Sequence, residues 1–180
     1  QGWLGGETGA DITLDLAKGK PARLHLESDL VGATLSVAPL SWSKGAKTRG
    51  KLALDAVLGT APEVTALSLT APGLAAQGRI TTKAGGGLDL ASFASLKVGN
   101  WLDAPADIRG TGKAGITVAL NGGTLDLRNR PSGGGGGGGG TGGNVPIKAN
   151  LDRLVVSSGI AITGKSRNIL QRSRGVDGTF

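Results

Sequence analysis

Apolar residues fall on every second position over most of this chain. The pattern is clear in Asp11-Ile12-Thr13-Leu14-Asp15-Leu16, Arg23-Leu24-His25-Leu26-Glu27, Thr34-Leu35-Ser36-Val37 and Lys51-Leu52-Ala53-Leu54-Asp55. It returns in Leu67-Ser68-Leu69, Leu88-Asp89-Leu90, Ile116 to Leu120, Leu125-Asp126-Leu127, Ile147 to Leu151 and Ile160-Ala161-Ile162. A period of two places alternate side chains on opposite faces of a strand, so each segment presents one apolar and one polar face. Strands begin roughly every 10 to 12 residues, the spacing of antiparallel all-β architecture. Turn residues separate them at Lys18-Gly19-Lys20-Pro21, Ala71-Pro72-Gly73 and Asn121-Gly122-Gly123. Asn-Gly between alternating segments predicts a hairpin at the last of these. Helical spacing is nearly absent; the best helix candidate is the short stretch Asn168 to Arg174.

The apolar content is almost entirely Leu, Ala, Val and Ile, with aromatics at only 3%. A sandwich of this size usually fills the space between its sheets with bulky aromatic and β-branched side chains. A long curved sheet with one greasy face needs only a strip of aliphatic groups. The expected fold is therefore all-β, with repetitive antiparallel strands forming an extended curved sheet or half-open β-groove. A β-sandwich or β-solenoid is the alternative. The 34 glycines suit turns and bulges. Gly133 to Gly140 form an unbroken run. This divides the chain into a repetitive β region (1–130), a glycine-rich segment expected to be a flexible linker (131–143), and a short C-terminal β segment with its tail (144–180).

Chemistry-bearing residues are sparse. Cysteine is absent, which removes disulfides, thiolate metal sites and a cysteine nucleophile. His25 is the only histidine, and alternation puts it on a polar strand face. No normal zinc ligand set or Asp-x-Asp calcium loop is present, so neither a metal nor any other cofactor is expected. Gly159 to Ser166 matches the phosphate-loop pattern, but its interior, Ile-Ala-Ile-Thr, reads as a strand. Gly110 to Gly115 matches G-x-G-x-x-G, yet a strand follows where a dinucleotide site needs a helix. No catalytic constellation can be assembled, and the chain is read as a non-enzyme.

The net charge of +7 raises acidic partners. The basic groups Lys44, Lys47, Arg49 and Lys51, and Arg167, Arg172 and Arg174, read as solvated turns and tails. Without interleaved aromatics there is no stacking platform for single-stranded nucleic acid, so no nucleic-acid partner is expected. Trp3, Trp42 and Trp101 each adjoin a turn. They read as rim residues, with the ring over an apolar edge and the N–H reaching water. No apolar run is long enough to span a bilayer as a helix.

Two stretches carry a family resemblance. Asp29-Leu30-Val31-Gly32-Ala33-Thr34-Leu35 leads into Leu40-Ser41-Trp42-Ser43-Lys44, and Gly50-Lys51-Leu52 is followed by Gly73-Leu74-Ala75-Ala76-Gln77-Gly78. This order resembles the AsmA-like family of Gram-negative envelope proteins, in particular the C-terminal AsmA-like region of YhdP-type members, relatives of TamB. The resemblance covers roughly residues 1 to 165 and rests mostly on turn and alternation positions. It implies a periplasmic, inner-membrane-anchored, bridge-like phospholipid transporter acting in outer-membrane biogenesis. The anchor would lie outside this chain, and other envelope proteins would be partners. It brings no catalytic residues.

Alternation independently supplies a lining for such a groove: Ile12, Leu14, Leu16, Leu24, Leu26, Leu35, Val37, Leu52, Leu54, Leu67, Leu69, Val118, Leu120, Leu125 and Leu127. Phospholipid acyl chains are the expected partner of that face. The competing expectation is a non-catalytic secreted or surface β-solenoid, an adhesin or structural repeat with a sealed core. The two differ in whether the apolar face is open or closed along its length.

Overall fold

The computed structural model of the chain describes residues 4–37, 40–112, 115–130, 147–157 and 160–163. No α-helix occurs among them. The candidate helix, the glycine run and Trp3 lie outside the described residues.

The chain forms β1 (Leu4–Gly6), β2 (Asp11–Asp15), β3 (Ala22–Ser28), β4 (Ala33–Val37) and β5 (Trp42–Lys44). Four long strands follow: β6 (Lys51–Leu58), β7 (Glu63–Ala71), β8 (Leu74–Thr82) and β9 (Leu88–Val98). Then come β10 (Leu102–Gly112), β11 (Gly115–Asn121) and β12 (Thr124–Asp126). The last three are β13 (Ile147–Asn150), β14 (Arg153–Ser157) and β15 (Ile160–Thr163).

Twelve strands make one open sheet and three make a small second sheet, in the order β1-β4-β5. From β2 the large sheet runs β2-β3-β6-β7-β8-β9-β10, every neighbour antiparallel. Among the described residues β2 pairs only with β3, and β15 only with β14, so the sheet does not close.

Beyond β10 the sheet departs from a purely antiparallel meander. β11 and β12 both pair antiparallel with β10, at successive positions along it. Asn121-Gly122-Gly123 is therefore no hairpin turn but an irregular step within one strand path. The reason is steric: a Cβ at Gly123 would collide with the carbonyl oxygen of Asp103 and lie 2.6 Å from the Cα of Ala104, so glycine lets β10 pass close by. β13 and β14 then run parallel to β11 and β12 in one register, Val118 opposite Ile147 and Asp126 opposite Val155. The C-terminal β segment thus extends the same sheet, which is mixed where alternation suggested antiparallel pairing throughout. Parallel neighbours need a long connection, and residues 127–146 provide it. Period two sets faces but carries no strand direction.

Two long strands were hidden from the alternation reading. β8 is diluted by Ala75, Ala76 and Gly78, and β10 contains Pro105. Proline is normally excluded from a central strand because it has no N–H to donate. Here β9 pairs with Ala104 and Ala106 but skips Pro105, and the other edge passes from Asp103 to Ala106 between its two partners.

Register aligns the apolar positions of successive strands. One row of cross-strand neighbours runs Ile12, Leu26, Leu54, Leu67, Gly78, Phe93, Ala106, Leu120, Ala149. A second runs Leu14, Leu24, Ala56, Val64, Ile80, Ala91, Ile108, Val118. Directly opposed residues share a face, so each row is a continuous apolar stripe across the sheet. Register shifts in β7 between Val64 and Leu67, and in β9 between Phe93 and Leu96, absorb an extra residue while preserving that face.

The core lies on one side of this face, beneath the small sheet. Leu30, Leu35 and Trp42 cluster there with Leu74, Leu96, Val98, Trp101 and Leu102. The Trp42 Nε1–H donates to the Pro72 carbonyl oxygen at 2.9 Å instead of reaching water. Trp42 and Trp101 are both buried and belong to the core itself, which corrects the rim reading. Lys44 overturns its reading as a solvated cation. It is 3% exposed, and its ammonium donates to the carbonyl oxygens of Leu30, Ala33 and Gly45 at 2.6, 2.8 and 3.2 Å.

Candidate functional site: an open apolar face

The fifteen residues expected to line a groove fall into four settings. Leu35 and Val37 are on β4 of the small sheet, and Leu35 is buried in the core. Leu120 is also buried, while Leu52, Leu69, Val118 and Leu125 are half-buried against that core. Leu127 follows β12 and is exposed. The remaining seven, Ile12, Leu14, Leu16, Leu24, Leu26, Leu54 and Leu67, are absent from the core cluster. They gather on β2, β3, β6 and β7 and just beyond β2.

Exposure grades along the sheet. At its β2 edge Leu16 is 75%, Ile12 61% and Leu14 49% exposed. Leu24, Leu26, Leu54 and Leu67 are half-buried. Further on, Ala91, Ala104 and Ala106 are buried. Close backbone approach accompanies this change: a Cβ at Gly78 would strike the Ser92 carbonyl oxygen and lie 2.9 Å from the Cα of Phe93. Along the rows the face therefore passes from the exposed apolar residues of the β2 edge to a tighter stretch that carries buried alanine at Ala91 and Ala106.

Alternation missed Val64, Ile80, Phe93 and Ile108, which stand in the same rows. Each is an isolated apolar residue beside a bulge, a glycine or a proline-bearing strand, so only the pairing register reveals it.

The opposite face carries the polar set. His25 stands across from Asp55, and its Nδ1–H donates to Asp55 Oδ1 at 2.6 Å. That hydrogen bond holds the imidazole above its ordinary value of 6.5, helped by the negative charges of Asp55 and Glu27 against some desolvation. Both partners are about half exposed. Among the described residues no group of three His, Cys, Asp or Glu side chains could hold a metal ion. Ile160 to Thr163, inside the phosphate-loop pattern, form β15; the residues flanking them lie outside the described set. In the second glycine pattern, Gly112 faces Gly115 across the β10–β11 pair.

Residues that carried the family resemblance form one structural unit. Asp29 accepts a hydrogen bond from the Val31 N–H, and Leu30, at φ +57°, is buried. Gly32, at φ +93°, lets the chain pass close to the Glu7 carbonyl. Lys44 binds the carbonyls of this turn, and Trp42 spans to Pro72 beside Gly73. The pattern specifies how the small sheet is fastened over one side of the large one. No family model matches the chain, nor does any curated protein or solved structure.

Proposed function

We propose that the chain is a non-catalytic segment of a periplasmic, bridge-like phospholipid-transport protein, in which the open half of the apolar face shields acyl chains. One observation carries the reading. Two in-register apolar rows cross the sheet, and at the β2–β7 end their leucines stand outside the core cluster, with Ile12 and Leu14 exposed at the edge. Isolated exposed leucines are ordinary on protein surfaces, but contiguous apolar patches mark interaction sites. Removing a methylene from water is worth about 0.8 kcal/mol, so seating about ten methylenes would contribute about 8 kcal/mol before ordering costs. Uniform aliphatic lining without a shaped pocket suits a ligand that slides. The family resemblance points the same way.

The test is lipid content. Leu26→Asp with Leu54→Asp places two carboxylates side by side in one open row. Phospholipid co-purifying with the protein, measured by mass spectrometry, should fall to background, while Lys51→Asp on an exposed position leaves it unchanged. Equal lipid in all three proteins would rule out the groove.

A further inference from the structure

The large sheet has two rims, and the structure makes them unequal. Along one rim lie the Pro72-Gly73 and Gly99-Asn100 turns and the excursion from Asp29 to Gly50 that builds the small sheet. This side of the apolar face is roofed. Along the other rim lie the β2–β3, β6–β7 and β8–β9 turns, beyond Asp15–Arg23, Val57–Glu63 and Thr82–Leu88. No strand of the small sheet lies along this rim, and at its β2 end Leu16 is 75% exposed.

The β2–β3 turn concentrates two features. Leu16 enters it as the most exposed large apolar side chain among the described residues. Lys18 and Lys20 follow at once, both exposed, in a turn closed by the Lys20 N–H on the Ala17 carbonyl at 3.1 Å. Neither lysine forms an ion pair among the described residues. The nearest acid by register, Asp15, faces Arg23 across the strand pair. Two uncompensated ammonium groups thus sit at the mouth of an apolar row. Further along the same rim the β8–β9 turn carries another cation, Lys83, and no acid.

From this charge complementarity we propose that the β2–β3 turn is a landing site for an anionic glycerophospholipid. Lys18 and Lys20 hold the headgroup phosphate, and the acyl chains enter over Leu16, Leu14 and Ile12. This rests on the groove reading above and adds to it a headgroup class, a rim and a point of entry. Each lysine beside an anionic lipid surface is worth about a factor of five in binding, so the pair supports a preference of roughly twenty-fivefold.

Vesicle flotation of the intact chain separates the site from the groove. Two vesicle types serve, phosphatidylcholine alone and phosphatidylcholine mixed with phosphatidylglycerol. The parent protein should favour the mixed vesicles, and Lys18→Glu/Lys20→Glu should remove at least tenfold of that binding while leaving the phosphatidylcholine signal. Lys47→Glu/Arg49→Glu, the same charge change on the roofed rim, should cost less than threefold. Equal losses from the two pairs, or no loss from the first, would overturn the headgroup site. Leu14→Asp/Leu16→Asp should abolish binding to both vesicle types. If it abolishes binding while the lysine pair proves neutral, the groove survives and the landing site does not. If it changes nothing, or the parent binds neither vesicle, both readings fall.

Discussion

The ammonium of Lys44 lies 2.6 Å from the carbonyl oxygen of Leu30, inside a site where the lysine is almost wholly buried. Two further carbonyls complete its shell. A buried ammonium is tolerated only when its donors are satisfied, and all three are. Lys44→Met should leave those carbonyls without a partner and cost about 3 kcal/mol. Lys47→Met, on an exposed position of the same loop, should change stability by less than about 0.5 kcal/mol. Urea unfolding measures both, and equal effects would show that the carbonyl shell contributes nothing.

Gly78 supplies a second prediction. It stands in an apolar row between Leu67 and Phe93, where β9 passes too close for any side chain. Gly78→Ala should destabilise the sheet by about 2 to 4 kcal/mol, because backbone and not a flexible side chain must yield. Gly19→Ala meets nothing within 4 Å but sits at φ +75°. Its cost should stay near 1 kcal/mol, set by backbone strain alone. A Gly78 variant no less stable than the Gly19 variant would deny the close approach.

How much of this was legible follows from what period two encodes. Leu14, Leu24, Leu26 and Leu54 were placed on one face by alternation, and register confirms that they share it. Alternation could not say which apolar residues are covered, because coverage depends on a second sheet. Leu35 and Leu54 read alike in sequence, yet one lies in the small sheet's core and the other on the open face. Lys44 was illegible for a related reason. Its burial depends on a turn fourteen residues earlier folding back over it, with Leu30 in a left-handed conformation that local pattern does not announce. The parallel pairing of β11 with β13 was hidden because strand direction is set by the connection.

His25 and Asp55 give a pH prediction on the polar face. The folded imidazole titrates above 6.5, chiefly through its hydrogen bond to Asp55. A raised folded-state value means the pair's stabilisation is fully present below the unfolded value and is lost as pH rises through the folded one. Asp55→Asn should bring the His25 titration back toward its ordinary value. It should also flatten the stability change between mildly acidic and neutral pH. Histidine proton chemical shifts followed against pH measure the first effect, and an unmoved titration would disprove the coupling.

The split between covered and open halves of the apolar face predicts two different prices for the same substitution. Leu102 is 4% exposed in the core, while Leu14 is 49% exposed at the β2 edge. Leu102→Ala should cost about 3 kcal/mol through lost burial and a residual cavity. Leu14→Ala removes a side chain already half in water and should cost less than about 1 kcal/mol in lipid-free protein. Bound lipid adds a second arm, since a ligand that binds only the folded state raises apparent stability. That increment should shrink in Leu14→Ala and persist in the lysine-to-methionine variant at position 47. If Leu14→Ala costs as much as Leu102→Ala without lipid, the β2 edge is covered in solution, and acyl chains have no open row to enter there.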